Sequence, residues 1–356
     1  MFSVRKIGDN YVPNLRIRQG ISSLNSSNTD RFSIIIVTFN EALLYKTVQS
    51  VLDNTDPGYL QEIIIIDDCS TVPVSIPPNL SSLIRVFRPT KNLGLIKARI
   101  WGGNLAVGKY LAFIDAHVHV SKYWLKTPSA LLNENNRTVV NFINFILDDK
   151  TFSSKALSGG FGSSAGITWD LHQFWGGGSE NSLESPITMG MFAITKYWWS
   201  QGMMDEGLVR WGGENVDISL RTWLCGGRIM VAKDSYVAHL FRSSFPYPVN
   251  TKDIQRNYIR VAKVWLGEPY IRTFYKEANI PLNKEGEPLY NYGNITDRLH
   301  LKEQLHCQPF SYYLDKFKNR SPCTKQERTK GCGGIQAVTS TMLVTQKAKE
   351  IIGLSV

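Results

Sequence analysis

The chain has 356 residues, 43% of them hydrophobic, with a formal net charge of +10 and a pI near 9.3. This is long for one domain but ordinary for an enlarged α/β enzyme with a sizeable core, and it excludes disordered and fibrous classes. No run of about 18 apolar residues that could span a membrane is present, and there is no internal repeat.

The opening Met1-Phe2-Ser3-Val4-Arg5-Lys6 lacks the apolar core of a signal peptide. Residues up to about Asp30 are mostly polar, so residues 1–30 read as an N-terminal arm and a cytoplasmic chain is expected. The β-branched run Ser33-Ile34-Ile35-Ile36-Val37 then predicts a buried strand ending in Thr38-Phe39-Asn40-Glu41. Leu44, Thr47, Val48 and Val51 follow at helical spacing. A second strand, Ile63-Ile64-Ile65-Ile66, ends in the acidic pair Asp67-Asp68. Strand, helix, strand and acidic pair open a parallel α/β sheet, which gathers ligand-binding groups at its strand C-termini. A further strand is expected around Ile84–Phe87, then a Gly-punctuated turn at Asn92-Leu93-Gly94 opening a helix.

The next strand, Tyr110-Leu111-Ala112-Phe113-Ile114, breaks off in Asp115-Ala116-His117. Residues i and i+2 of an extended chain point to one side, so a carboxylate and an imidazole can share one divalent cation. Mixed oxygen and nitrogen donors suit Mn²⁺ better than Mg²⁺, while Zn²⁺ usually draws more His or Cys. The plainer reading is a strand end with a surface histidine. Further on, Trp211-Gly212-Gly213-Glu214-Asn215 precedes an amphipathic helix that runs through Trp223 and stops at Cys225-Gly226-Gly227. Glu214 can accept hydrogen bonds from sugar hydroxyls. Tyr236-Val237-Ala238-His239-Leu240-Phe241-Arg242 adds a histidine that could complete the ligand set, and an arginine suited to a diphosphate. The five cysteines form no CxxC motif, which argues against a zinc knuckle.

Taken together, Phe39-Asn40-Glu41-Ala42, Ile66-Asp67-Asp68, Phe113-Ile114-Asp115-Ala116-His117, Trp211-Gly212-Gly213-Glu214-Asn215, His239-Leu240-Phe241-Arg242 and Leu305-His306-Cys307-Gln308-Pro309-Phe310 resemble the catalytic domain of the polypeptide N-acetylgalactosaminyltransferases. The resemblance covers roughly Phe32 to Pro322 and implies a GT-A glycosyltransferase fold, a Rossmann-like, mostly parallel sheet flanked by helices. It divides the chain into the arm, a catalytic domain at 31–320 with a nucleotide-binding half (31–120) and a sugar and acceptor half (121–320), and a tail at 321–356. A chain without the family's lectin domain is expected.

By the same resemblance, Asp115, His117 and His239 would bind Mn²⁺, and the donor would be a UDP-sugar. Val37, Thr38, Phe39, Asp67 and Asp68 would line the nucleotide; Met189, Gly190, Glu214 and Asn215 would face the sugar. Trp211 and Arg242 would act beside the leaving phosphate, with Tyr247 on the loop that closes over the donor. The reaction would retain anomeric configuration, moving a hexose or N-acetylhexosamine to Ser or Thr of a polypeptide. One family disulfide would survive as Cys225 with Cys307, and the other has no counterpart. Three departures stand out: His119 replaces an acid two after the metal-binding histidine, Met189 replaces a sugar-pocket glycine, and Phe245 replaces a loop histidine.

Charge supplies a separate indication of the acceptor. Between Asp68 and Asp115 there is no acid but six bases, Arg85, Arg88, Lys91, Lys97, Arg99 and Lys109. Arg256, Arg260 and Lys263 recur at helical spacing opposite Ile254, Tyr258, Val261 and Trp265. One reading is a solvated basic face; the other is an electrostatic footprint for a polyanion. A second acceptor class is therefore a hydroxymethylated base of viral DNA, flipped or exposed to reach the site. A sugar-nucleotide binding module without turnover is the non-enzymatic alternative.

Overall fold

A computed structural model of the chain describes residues 4–7, 10–13, 30–77, 82–148, 150–155, 164–175, 183–242, 250–318, 320–324 and 327. Most of the expected arm and tail, and Phe245 and Tyr247, lie outside the described residues. Strands β1 (Val4–Ile7) and β2 (Asn10–Pro13) pair with each other in an antiparallel two-stranded sheet.

The domain proper starts with β3 (Phe32–Thr38), α1 (Leu44–Asn54), β4 (Leu60–Asp67), β5 (Ile84–Phe87), α2 (Leu95–Leu105) and β6 (Tyr110–Asp115). Side chains alternate across a strand. Ile35, Ile64 and Ile66 therefore join one core layer, while Ile34, Ile36, Ile63 and Ile65 join the other. Both faces are covered, which is why these strands read as unbroken isoleucine runs. Helix α1 buries Leu44, Thr47, Val48 and Val51, the face its spacing predicts. Helix α2 lies unusually close to the sheet, since a Cβ at Gly102 would sit 2.7 Å from Ile35 Cγ2.

The chain continues through β7 (Val118–Val120), α3 (Lys126–Glu134), β8 (Thr138–Leu147), β9 (Ser154–Lys155), the hairpin β10 (Ala165–Ile167) and β11 (Gln173–Trp175), β12 (Phe192–Thr195), α4 (Lys196–Ser200), α5 (Glu214–Leu224) and β13 (Arg228–His239). Helices α6 (Thr251–Trp265), α7 (Tyr270–Glu277), α8 (Thr296–Gln304) and α9 (Phe310–Lys316) complete it.

The main sheet runs β5-β4-β3-β6-β12-β8-β13-β7, with β9 on β8. Strands β5, β4, β3 and β6 are mutually parallel, as the opening pattern predicts. Strand β12 is antiparallel to both β6 and β8, and β13 is parallel to β8. Two reversals restore direction, so β13 ends at the same sheet edge as β6. That topology carries His239 back to Asp115. A disulfide joins Cys225, at the end of α5, to Cys307, as the resemblance implies. Cys323 is disulfide-bonded too.

Candidate active site

Strand β6 delivers Asp115 to the sheet edge, and the chain then crosses to start β7, which pairs antiparallel with the end of β13. The Leu240 N–H donates to His117 O at 3.2 Å, stitching the crossing to the last strand. His117 Nε2 lies 3.1 Å from His239 Nε2, and His239 Nε2 lies 3.2 Å from Asp115 Oδ2. The donor atoms of all three residues fall within 4.8 Å of one another. Neighbouring ligands of one octahedral ion, each roughly 2.1 Å from it, stand roughly 3 Å apart, so this spacing and the mixed donor set fit a hard to intermediate divalent cation. Burial holds His239 below its ordinary range, favouring the neutral imidazole that a metal needs. Burial alone would raise Asp115, but the His239 hydrogen bond and the Arg99 charge hold it well below the usual carboxylate range.

Two residues not assigned roles from sequence complete this centre. Arg99, on α2 and only 2% exposed, donates from Nη2 to Asp115 Oδ1 at 2.8 Å, while its Nη1 is buried without a partner. Its sequence signal is an arginine flanked by the apolar Ile96, Ala98 and Ile100 on a sheet-facing helix, all of them buried. Glu41 accepts from the His117 ring at 3.0 Å and from Arg242 Nη2 at 2.7 Å. It stands in the Phe39-Asn40-Glu41-Ala42 motif, whose sequence does not reveal these distant partners.

The second wall comes from the start of α5. Gly212 and Gly213 adopt φ +95° and +86°, conformations that L side chains rarely hold, and the turn brings the Gly212 N–H to Glu214 Oε2 at 2.8 Å. Asn257 of α6 donates to the carbonyls of Val209, Gly212 and Trp211, bracing the turn from behind. Glu214 is 2% exposed. Burial pushes its carboxyl above the usual range, with Arg99 opposing and Asp115 adding to the effect. Asn215 donates to Gln173 of β11 at 3.3 Å. Trp211 is half-buried at the same turn. Gly190 lies at the centre: a Cβ there would be 3.7 Å from Arg99 Nη2 and 4.0 Å from Asp115 Oδ2. Met189 is half-buried against the core beside it.

The expected nucleotide wall is at the ends of β3 and β4. Val37 pairs in register with Asp115; Thr38 is buried with its hydroxyl unpartnered, and Phe39 is half-buried. Asp68 accepts from Asn92 Nδ2 and from the Leu93 and Gly94 N–H groups, at 2.6 to 2.9 Å. Asp67 has another duty. Its carboxylate accepts from Ser70 N, Val74 N and Arg88, and its side chain is 1% exposed, so it braces the loop rather than facing a ligand. His119 stands apart from the metal trio, half-buried on β7 with its ring edge-on to Phe152.

The structure turns the basic trio on α6 towards neighbouring segments of the chain. Arg260 is 4% exposed, clamped to both oxygens of Asp205 and donating to the Tyr292 and Asn294 carbonyls. Arg256 donates to Gly207 O, and Lys263 pairs with Glu287. Helical spacing put the three on one face, but that face packs on the 205–208 and 287–294 segments instead of on solvent. In the second patch Arg85 pairs with Glu62 and Arg88 with Asp67, and Lys91 is exposed.

The family described as Glycosyl transferase family 2 matches residues 33–184. Polypeptide N-acetylgalactosaminyltransferase 11 of Xenopus tropicalis is 36% identical over 311 residues, covering 80% of this chain and 49% of the relative. Polypeptide N-acetylgalactosaminyltransferase 6 of Homo sapiens is 34% identical over 305 residues, covering 79% and 49%. The chain belongs to the polypeptide N-acetylgalactosaminyltransferase family. It spans about half the length of the curated relatives it matches. A crystal structure of GalNAc-T7 with UDP, GalNAc and Mn²⁺ superposes with a TM-score of 0.67 at 25% identity, covering 81% of this chain and 57% of that one. The GT-A expectation therefore holds for this family member, with parallel strands β5, β4, β3 and β6 followed by a mixed second part of the sheet.

Proposed function

We propose that the protein moves a sugar from a UDP-sugar to a hydroxyl of a polypeptide, with retention of anomeric configuration and dependence on Mn²⁺. The observation that carries this reading is the convergence of Asp115, His117 and His239 on one point, flanked by Arg99 and Glu214. Asp115, His117 and His239 would hold the cation, which when bound supplies positive charge to the donor diphosphate. Arg99 and Arg242 add fixed positive charge where the departing diphosphate gathers negative charge, and such preorganised groups are worth most in a site screened from water. Glu214 and Asn215, at the start of α5, position the sugar hydroxyls. The C1–oxygen bond to the diphosphate breaks as the acceptor oxygen bonds C1 on the same face, and the acceptor proton passes to the diphosphate. No protein nucleophile is required.

The acceptor reading follows from the contacts of the basic trio on α6. Arg256, Arg260 and Lys263 serve internal contacts, so the polyanion footprint lacks its main element, and the polypeptide is favoured over DNA. The Cys225–Cys307 bridge also speaks for an oxidising compartment, against the cytoplasmic expectation. No helix among the described residues is long and apolar enough to cross a membrane.

The deciding test is mass spectrometry of Ser/Thr peptides and of hydroxymethylcytosine DNA after incubation with UDP-sugars and Mn²⁺. A sugar-sized mass gain on peptide, abolished by chelator, is expected; gain on DNA alone would reverse the acceptor assignment. Donor choice has its own test. Met189 beside Gly190 narrows the pocket, so UDP-glucose or UDP-galactose should compete well with UDP-N-acetylgalactosamine. Met189→Gly should move the kcat/KM ratio towards the N-acetyl donor by about tenfold or more, the scale for filling or emptying a small apolar volume. Identical donor preference in both forms would show that Met189 does not limit the pocket.

A further inference from the structure

Glu41 lies between β3 and α1, one sheet strand away from the metal-binding crossing, and its side chain is 4% exposed. A carboxylate this buried needs all its hydrogen-bonding capacity used. Oε1 accepts from the Leu43 N–H at 3.0 Å and from Arg242 Nη2 at 2.7 Å; Oε2 faces His117 Nδ1 at 3.0 Å. The Leu43 contact is local and fixes the side-chain rotamer. The other two reach residues 76 and 201 positions away. They come from the crossing after β6 and from the segment after β13.

We infer that Glu41 is the positioning residue that couples the metal site to Arg242. An ionised carboxylate can only accept, so the His117 proton must sit on Nδ1. That leaves the Nε2 lone pair directed at His239 and Asp115, the tautomer a metal ligand requires. The same carboxylate holds the Arg242 guanidinium at the edge of the site, where a diphosphate would compete for it. Glu41 thus sets the ligand's tautomer with one oxygen and stations the phosphate-binding arginine with the other.

This inference rests on the metal reading above, and its test separates the two. Metal-free unaltered protein, Glu41→Gln, Glu41→Ala and Arg242→Ala are compared by imidazole ¹⁵N spectra, by Mn²⁺ titration against the free-ion EPR signal, and by thermal melting. His117 should be protonated on Nδ1 in the unaltered protein and in Arg242→Ala, and a tautomer mixture in Glu41→Ala. Glu41→Ala should weaken Mn²⁺ binding by about ten- to a hundredfold, the usual cost of losing an outer-shell partner. Arg242→Ala should stay within about threefold, while UDP affinity falls in both variants and no further in the double variant. Glu41→Gln offers one acceptor oxygen in place of two, so it should lose the His117 tautomer with Mn²⁺ affinity, or UDP affinity, according to which partner faces its amide nitrogen. It serves as the working variant if Glu41→Ala melts too early. Unchanged tautomer and Mn²⁺ affinity in folded Glu41→Ala, or unchanged tautomer, Mn²⁺ affinity and UDP affinity together in Glu41→Gln, would overturn the inference. Failure of the unaltered protein to bind Mn²⁺ would overturn the metal reading instead, and the tautomer spectra would still decide the role of Glu41.

Discussion

Asp115→Asn should abolish Mn²⁺ binding and reduce sugar transfer by on the order of a thousandfold or more, beyond the ten- to hundredfold expected for an outer-shell residue. Asn keeps the size of the side chain but removes the charge that faces His239 and Arg99. His239→Ala should behave alike, because it deletes the donor nearest to both partners. The check is isothermal titration with Mn²⁺ alongside peptide glycosylation with added metal and with chelator. Circular dichroism should show little loss of fold, since Asp115 is 24% exposed and the sheet ladders do not depend on its side chain. A variant that transfers sugar at the normal rate in chelator would remove the metal from the mechanism.

Arg260→Ala should instead be a stability mutation, costing about 3–5 kcal/mol, the range for stripping one partner from a buried ion pair. Its guanidinium is 5% exposed against a 2% exposed Asp205, and it also holds two carbonyls of the 292–294 segment. At about 2–4 °C per kcal/mol for a domain of this general size, the melting temperature should fall by roughly 10 °C. Lys91→Ala, on an exposed side chain, should leave it within about half a kcal/mol. A melt of Arg260→Ala matching the unaltered protein, together with weakened DNA binding across a salt titration, would restore the polyanion reading of α6.

The contrast between these two residues shows what was readable in the chain. Strands β3, β4 and β6 declare themselves because both faces are buried and every position must be apolar; only their ends are free to carry Thr38, Asp68 and Asp115. The candidate metal donors were legible because the spacing of Asp115 and His117 is local and the family motif supplies His239; the structure brings the three together. The environment of Arg260 could not. Periodicity gives the face of a helix, but not what covers that face, and here Asp205 and the 292–294 carbonyls come from distant segments. Arg99 and Glu41 were hidden for the same reason: each becomes functional through a partner at least 16 positions away. Asp67 and Asp68 look identical in sequence, yet one points into a turn and the other towards the N-terminus of α2.

The return of β13 to the edge set by β6 has a consequence for how the protein comes into being. The donors at 115 and 117 are synthesised more than a hundred residues before the one at 239, and no ion can bridge them until β12 and β8 have been laid in between. Contacts of such sequence separation close slowly, so the nascent chain should carry its first two donors for some time without holding a cation. Once the sheet is complete, an ion bound there ties the early strands to the last one and favours only the finished state. Its stabilisation should grow as RT ln(1 + [Mn²⁺]/Kd). Melting temperature should therefore climb with the logarithm of manganese concentration, making the ion a reporter of complete assembly as well as a participant in chemistry.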